Sequence, residues 1–496
     1  MADRVHLVIR NARVIDGTGG PSVTADVAVA GDRIAAVGAG LDVEAEAALE
    51  AGGLALAPGF IDVHTHDDRA VIADPLMTPK VSQGVTTVVV GNCGISLAPL
   101  EIGTRPPGPL DLLSGDPRDF FPSFAAYFAA LDAAPPALNV VAQAGHSTLR
   151  VMAMDSLDRP ADAAEVARMR EALERAFREG AAGFSTGLFY PPAQAAPTEE
   201  VIALAEVAAR HRGFHSTHMR DESEHVLDSL AETFRIGREA RVPVVISHHK
   251  CSGVANHGRS VETLAAIEQA RVQQPIGLDA YPYVASSTIL RADRVHEASR
   301  VLVAWSVPRP DLVGRDLDEV AAELGTDRIG AVERLAPAGA IYFAMAEEDV
   351  RRILAYPATM IGSDGLPHDT HPHPRLWGTF PRVLGHYARD LGLFALEEAV
   401  RKMTSLSAAT FGLEDRGVVR EGFLADLVLF DPESVIDRAS FAAPKTPAAG
   451  IRLVLVNGEP VWRDGAHTGA RPGRALRRGA GVRRRAWPDA QASRAP

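Results

Sequence analysis

The chain has 496 residues, too long for one ordinary compact core, and calls for a large domain with a smaller satellite. Hydrophobic residues make up 46% and charged residues 23%, a globular balance, and the net charge of −12 argues against nucleic acid as the main partner. Two cysteines make no disulfide framework, no signal peptide opens the chain, and no run of about 18 apolar residues offers a membrane span, so the expectation is a soluble cytoplasmic protein.

Residues 5–55 read as short strands, Val5–Val14, Thr24–Val29 and Arg33–Val37, punctuated by Asp16-Gly17-Thr18-Gly19-Gly20. From about 58 to 412 apolar strand runs alternate with amphipathic helix patterns. The runs are those ending at His64, Thr86–Val90, Asn139–Gln143, Ala182–Ser185, Phe214–His218, Val242–His248, Ile276–Ala280 and Thr359–Gly362. Helix patterns include Ala161–Glu179, Thr198–Arg210 and Ser260–Gln273. Eight β/α units predict an α/β fold, a (β/α)8 TIM barrel, with an open doubly wound sheet as the competing architecture. Residues 291–350 break the rhythm and read as an insertion after a late barrel strand. Strands then return at Gly422–Asp431, Ile451–Asn457 and Pro460–Arg463. The expected division is a small β-domain from both chain ends (1–57 with 413–470), a barrel over 58–412, and a solvated, poorly ordered tail over 471–496.

The most informative stretch is Leu56-Ala57-Pro58-Gly59-Phe60-Ile61-Asp62-Val63-His64-Thr65-His66. In a strand, residues two apart point the same way, so His64 and His66 set two imidazoles side by side, spaced for one metal ion. Pro58 and Gly59 mark where the strand begins, and Asp67-Asp68 where it leaves the core. Further ligand types follow other apolar runs: Cys93, His218, His248 and Asp364. Functional residues of a barrel gather at the C-terminal ends of its strands, which would bring all six together. Thiolate and imidazole suit zinc. Six groups exceed what one four-coordinate catalytic ion uses, whereas two ions sharing a bridge would use them all. Cys93 is the natural bridge, because a thiolate carries charge and has lone pairs for two metals.

With PGFIDVHTHDD (58–68), GNCG (91–94), GHSTLR (145–150), STGLFYPP (185–192), THMRDE (217–222), ISHHK (246–250), DAYPY (279–283), IGSDGLPHD (361–369) and ADLVLFDP (425–432), the chain resembles the amidohydrolase superfamily. Within it the resemblance is to the N-acyl-D-amino-acid deacylases (D-aminoacylases). It implies a tight zinc on Cys93, His218 and His248, and a second, weaker site at His64 and His66 with Cys93 between. Many superfamily members bridge their metals with a carboxylated lysine on the strand that here reads Ala182-Gly183-Phe184-Ser185. No lysine stands there, which fits a cysteine bridge and weakens a cyclic-amide hydrolase as the alternative. A non-catalytic scaffold would have no need of the ligands or of Asp364.

The expected chemistry is hydrolysis of the amide of an N-acyl-D-amino acid, a small-molecule substrate; D over L rests on the resemblance alone. Asp364 would take a proton from water and hand it to the leaving amine. By resemblance, Tyr190 could donate to the oxyanion, and Lys250, Tyr281 and Arg375 would bind the α-carboxylate, with Ser287 nearby. Lys250 is one of only four lysines and sits two residues past His248. Arg294 opens the insertion; an arginine there favours an acidic side chain, so N-acyl-D-glutamate is the expected substrate, with hydrophobic N-acyl-D-amino acids as the alternative. His249 should face away from His248 and pack. His146 is left open between a supporting position and one near substrate.

Overall fold

The computed structural model describes residues 5–483. Its centre is an eight-stranded parallel sheet: β1 Phe60–Asp62, β2 Val85–Val90, β3 Asn139–Gly145, β4 Gly183–Gly187, β5 His215–His218, β6 Val244–Ile246, β7 Ile276–Ala280 and β8 Thr359–Ile361. Each strand pairs with the next in chain order. Helices cover the outside, so the strands are buried on both faces and read as continuous apolar runs; every residue of Val85–Val90 is buried. The helix Ala163–Glu179 shows the local logic. Asp162 and Glu165 form a capping box at its start, Gly180 ends it at φ 118°, and Met169, Leu173, Ala176 and Phe177 face the barrel. The barrel of the sequence analysis is therefore present, closed between β8 and β1 by loop contacts above the strand ends. Asp364 N donates to His64 O at 2.7 Å, and Thr65 bridges Gly365.

Inside the barrel, Ile61, Val89, Val141, Ala182, Phe214, Val245 and Met360 pack in one apolar cluster with Phe411, Leu413, Leu476 and Val482. The last two correct an expectation, since they lie in a segment read as solvated tail. Gly473 N donates to Pro136 O at 2.9 Å, and Leu476 N to Val140 O at 2.8 Å. The chain from 473 to 482 plugs the barrel floor, because Leu476 and Val482 supply apolar surface that the arginine-rich surroundings masked in the sequence. The rest of the expected tail, 484–496, lies outside the described residues.

A nine-stranded sheet draws on both chain ends. Its centre joins Leu7–Val14, Ala55–Pro58 and Leu427–Phe430. The strand expected to begin at Pro58 and Gly59 is Phe60–Asp62, and Ala55–Pro58, ending just before it, belongs to the other sheet, with Gly59 between them. A Cβ at Gly59 would lie 2.2 Å from the Thr86 side chain, so only glycine lets the chain pass from one sheet to the other. Asp67 and Asp68 do not mark an exit from the core, as both are buried. The interruption of the β/α rhythm starts at Ala285, ahead of the expected 291, because Ala285–Ile289 pairs with Ala338–Phe343, which pairs in turn with Arg300–Ser306. No helix among the described residues is long and apolar enough to cross a membrane.

Candidate metal centre and active site

Three of the six expected ligands sit in left-handed backbone that L-residues rarely adopt: Cys93 at φ 53°, His248 at φ 36° and Asp364 at φ 51°. Each such residue costs roughly 1–2 kcal/mol and persists only where its surroundings over-determine it. Those surroundings are visible. Cys93 lies between Gly91 and Gly94, at φ 77° and 74°. A Cβ at Gly91 would stand 2.1 Å from Gln143 O. His248 N donates to Asp279 Oδ1 at 2.9 Å, and Asp364 N is held by His64 O. The backbone thus turns these side chains off their strand ends and over the barrel mouth.

There the ligand atoms converge. His64 Nε2 lies 3.2 Å from Cys93 Sγ, and His248 Nε2 lies 3.3 Å from it. Asp364 Oδ1 is 3.2 Å from His66 Nε2 and 3.6 Å from His64 Nε2. Two groups that could hold a metal ion emerge: His64, His66, Cys93 and Asp364, and Cys93, His218 and His248, with the ligand atoms of each group within 4.8 Å of one another. Cys93 belongs to both. Ligands about 2.0–2.3 Å from a tetrahedral ion stand about 3.3–3.8 Å apart, close to the separations found. Burial opposes charge on the Cys93 thiol, yet His64 and His248 pull its pKa well below that of a free thiol, so the cluster favours the thiolate. Acids stand behind two of the ligands. Asp279 Oδ1 lies 3.5 Å from His64 Nδ1, and Glu222 Oε1 lies 3.0 Å from His248 Nδ1. Carboxylates behind imidazoles fix ring orientation and tautomer.

Next to this centre opens a cavity of about 570 Å³, counted with its mouth, roofed by the insertion. Tyr190 is buried beside His218, and its hydroxyl shares a hydrogen bond with Thr288 Oγ1 at 2.9 Å. Lys250 lines the cavity, but its ammonium is engaged by both oxygens of Glu222 at 2.8 Å and by His248 Nδ1 at 2.7 Å. Arg375 is fully buried. Its Nη1 stands 2.8 Å from Asp364 Oδ2, its Nη2 donates to Ser287 O at 3.0 Å, and its guanidinium lies over the Tyr281 ring. Tyr281 Oη, Ser287 Oγ and Arg375 Nε are buried polar atoms without a hydrogen-bond partner. Arg294 reaches the cavity too, stacked on Phe189 and paired with Glu297 at 2.8 Å.

Two histidines fall elsewhere. His249 turns to Thr263 Oγ1 at 2.9 Å, away from the ligands. His146 belongs to a buried ion cluster, 2.9 Å from Glu200 Oε1, which also pairs with Arg150. Sequence reasoning missed three supporting acids and a base: Glu222, Asp279, Asp62 and Lys80. Glu222 was signalled by its place four residues after His218, and Asp279 by its position at a strand end, like Asp364. Lys80, in the short helix Thr78–Val81, carried no local signal.

The amidohydrolase family model matches residues 47–262 and 251–462. A D-aminoacylase of Alcaligenes xylosoxydans xylosoxydans is 57% identical over 472 residues, covering 95% of this chain and 97% of the relative. An N-acyl-D-glutamate deacylase of the same organism is 47% identical over 483 residues, covering 97% and 98%. Among solved structures, the N-acyl-D-glutamate deacylase of Bordetella bronchiseptica, complexed with zinc and a phosphonate mimic of the tetrahedral intermediate, superposes with a TM-score of 0.93 at 46% identity, over 96% of this chain and 100% of that one. The chain belongs to the amidohydrolase family, in its D-aminoacylase branch, and is an enzyme of that kind.

Proposed function

We propose that this enzyme hydrolyses the amide bond of N-acyl-D-amino acids at a zinc centre, releasing a carboxylic acid and a free D-amino acid. The observation that carries the reading is Cys93, shared between two sets of ligand atoms, with Asp364 beside it. The donor set fits zinc: one thiolate and four imidazoles, with a carboxylate beside them. Cys93, His218 and His248 would hold the tighter ion; His64 and His66, with Cys93 and Asp364, a second and weaker one. Zinc supplies Lewis acidity toward the amide carbonyl and a low pKa for water at neutral pH.

The chain's own groups do the rest. Asp364 is ionised, held so by Arg375 and the neighbouring histidines against its burial, and so is ready to accept a proton from the attacking water. The proton it gains is the one it returns to the leaving nitrogen. Tyr190 Oη donates to the oxyanion of the tetrahedral intermediate. The unpaired Tyr281 Oη, Ser287 Oγ and Arg375 Nε receive the α-carboxylate, which satisfies their buried hydrogen-bonding capacity. Lys250 adds positive charge on the same side. The free cysteines, one of them at the centre, suit a reducing compartment, in keeping with a cytoplasmic enzyme.

For the side chain of the substrate we favour glutamate, because Arg294 brings a guanidinium to the cavity. A second reading, an apolar side chain, is favoured by Glu297, which already pairs with Arg294, and by Phe189 beneath it. Rates of zinc-loaded protein on N-acetyl-D-glutamate, N-acetyl-D-aspartate, N-acetyl-D-leucine and their L-forms test both. Turnover of D-glutamate above D-leucine supports the first; the reverse order supports the second. Equal turnover of L-forms contradicts the function proposed.

A further inference from the structure

The barrel is weakest where its ends meet. β8 and β1 are the two termini of the sheet's strand order, so no ladder joins them. The metal-ligand candidates fall on both banks of this seam, His64 and His66 after β1 and Asp364 after β8. Their separation therefore depends on whatever holds the seam together.

Backbone bonds from Asp364 N to His64 O at 2.7 Å and from His66 N to Gly365 O at 3.4 Å cross it, and beneath them lies a buried ionic clasp. Lys80 is fully buried. Its Nζ donates to Asp62 Oδ2 at 2.8 Å on the β1 bank and to Ser363 Oγ at 2.7 Å on the β8 bank, and it stands 3.3 Å from Asp67 Oδ2. Asp62 Oδ1 completes the link by accepting from Ser363 N at 2.8 Å and, more weakly, from His64 N at 3.4 Å. Ser363 Oγ in turn accepts from Gly365 N at 3.2 Å. One ammonium thus ties residues within two positions of His64, His66 and Asp364. Without it, Asp62 and Asp67 on the β1 bank would be two buried carboxylates stripped of their lysine, and the β8 bank would lose its tie through Ser363 Oγ.

We propose that Lys80 is a positioning residue that sets the gap between the His64–His66 pair and Asp364, and so tunes the affinity of that half of the centre for its ion without touching it. The other half, Cys93, His218 and His248, follows β2, β5 and β6 and does not cross the seam. This inference rests on the two-ion reading proposed above. A buried lysine kept only for stability would, on removal, loosen both halves alike.

The test is a competition titration of metal-free full-length protein with zinc, comparing wild type, Lys80→Met and Ser363→Ala. Wild type should show two classes of site. Lys80→Met should weaken the second class by about 10- to 100-fold, the scale of lost outer contacts, and leave the first within about threefold. Ser363→Ala keeps the Lys80–Asp62 pair and removes only the hydroxyl relay, so it should weaken the second class by about threefold and keep the first; it decides the matter if Lys80→Met does not fold. Equal weakening of both classes, or no change in the second, overturns the role of Lys80 while leaving the two-ion reading intact. A wild type with a single class of site overturns both.

Discussion

Arg375 Nη1 meets Asp364 Oδ2 at 2.8 Å in the interior, so the expected substrate clamp also touches the expected base. Burial by itself would raise the pKa of Asp364, and Arg375 is the largest of the influences that hold it well below the usual carboxylate range. A base must be unprotonated to work, so activity should fall on the acid side as Asp364 gains a proton. Arg375→Leu should move that acid limb of kcat/KM upward by about one pH unit or more, since an adjacent cation lowers a carboxylate pKa by about 1–3 units. It should raise KM as well. A pH–rate profile checks this, and an unmoved acid limb contradicts the pairing as functional.

Asp364→Asn separates the base from the metal. The Cys93, His218 and His248 group does not include Asp364. Metal analysis should therefore still find the first zinc equivalent, while kcat drops by about 10²–10⁴-fold, the usual contribution of a general base. Near-normal turnover in the zinc-loaded variant would remove Asp364 from the mechanism.

Acid should weaken the fold before it exhausts the carboxylates. Burial pushes His215 down to about 3 and His249 down to about 4. Both are neutral when folded, but in the unfolded chain they bind protons below about 6.5. Stability from this source is complete above about pH 6.5 and falls as the pH drops toward 4, by up to about 1.4 kcal/mol per pH unit for each group. Urea unfolding between pH 7.5 and 4.5 should show that slope, and His215→Gln should flatten it by about one proton. A slope unchanged by the substitution would contradict the assignment.

On the proposed reading, Glu297 competes with a substrate carboxylate for Arg294. Glu297→Gln removes the carboxylate 2.8 Å from that guanidinium. The kcat/KM ratio of N-acetyl-D-glutamate over N-acetyl-D-leucine should rise by about tenfold, equivalent to about 1.4 kcal/mol. Arg294→Leu should lower it. A ratio insensitive to both changes would place side-chain recognition elsewhere.

Much of this was legible in the chain because it is periodic or local. Eight apolar runs, five of them closing on ligand-type residues, announce a barrel with a site at one mouth, and the paired histidines announce a metal. What stayed hidden depends on long-range closure. Nothing in the sequence places Lys80 against Ser363, 283 residues apart. Gly59 looks like a strand start, although it is the crossing point between two sheets. Leu476 and Val482 look like part of a charged tail until the open barrel floor is there for them to fill. Lys250 and Arg375 read as free cations for a substrate, and the acids that meet them, Glu222 and Asp364, become partners only in three dimensions.

Cys93 is the proposed ligand common to both halves of the centre. Zinc K-edge X-ray absorption on wild-type protein loaded with two equivalents reads it directly. The prediction is a sulfur shell at about 2.3 Å for the bound zinc that disappears in Cys93→Ser, leaving nitrogen and oxygen at about 2.0–2.2 Å. A wild-type spectrum with only nitrogen and oxygen neighbours would contradict it.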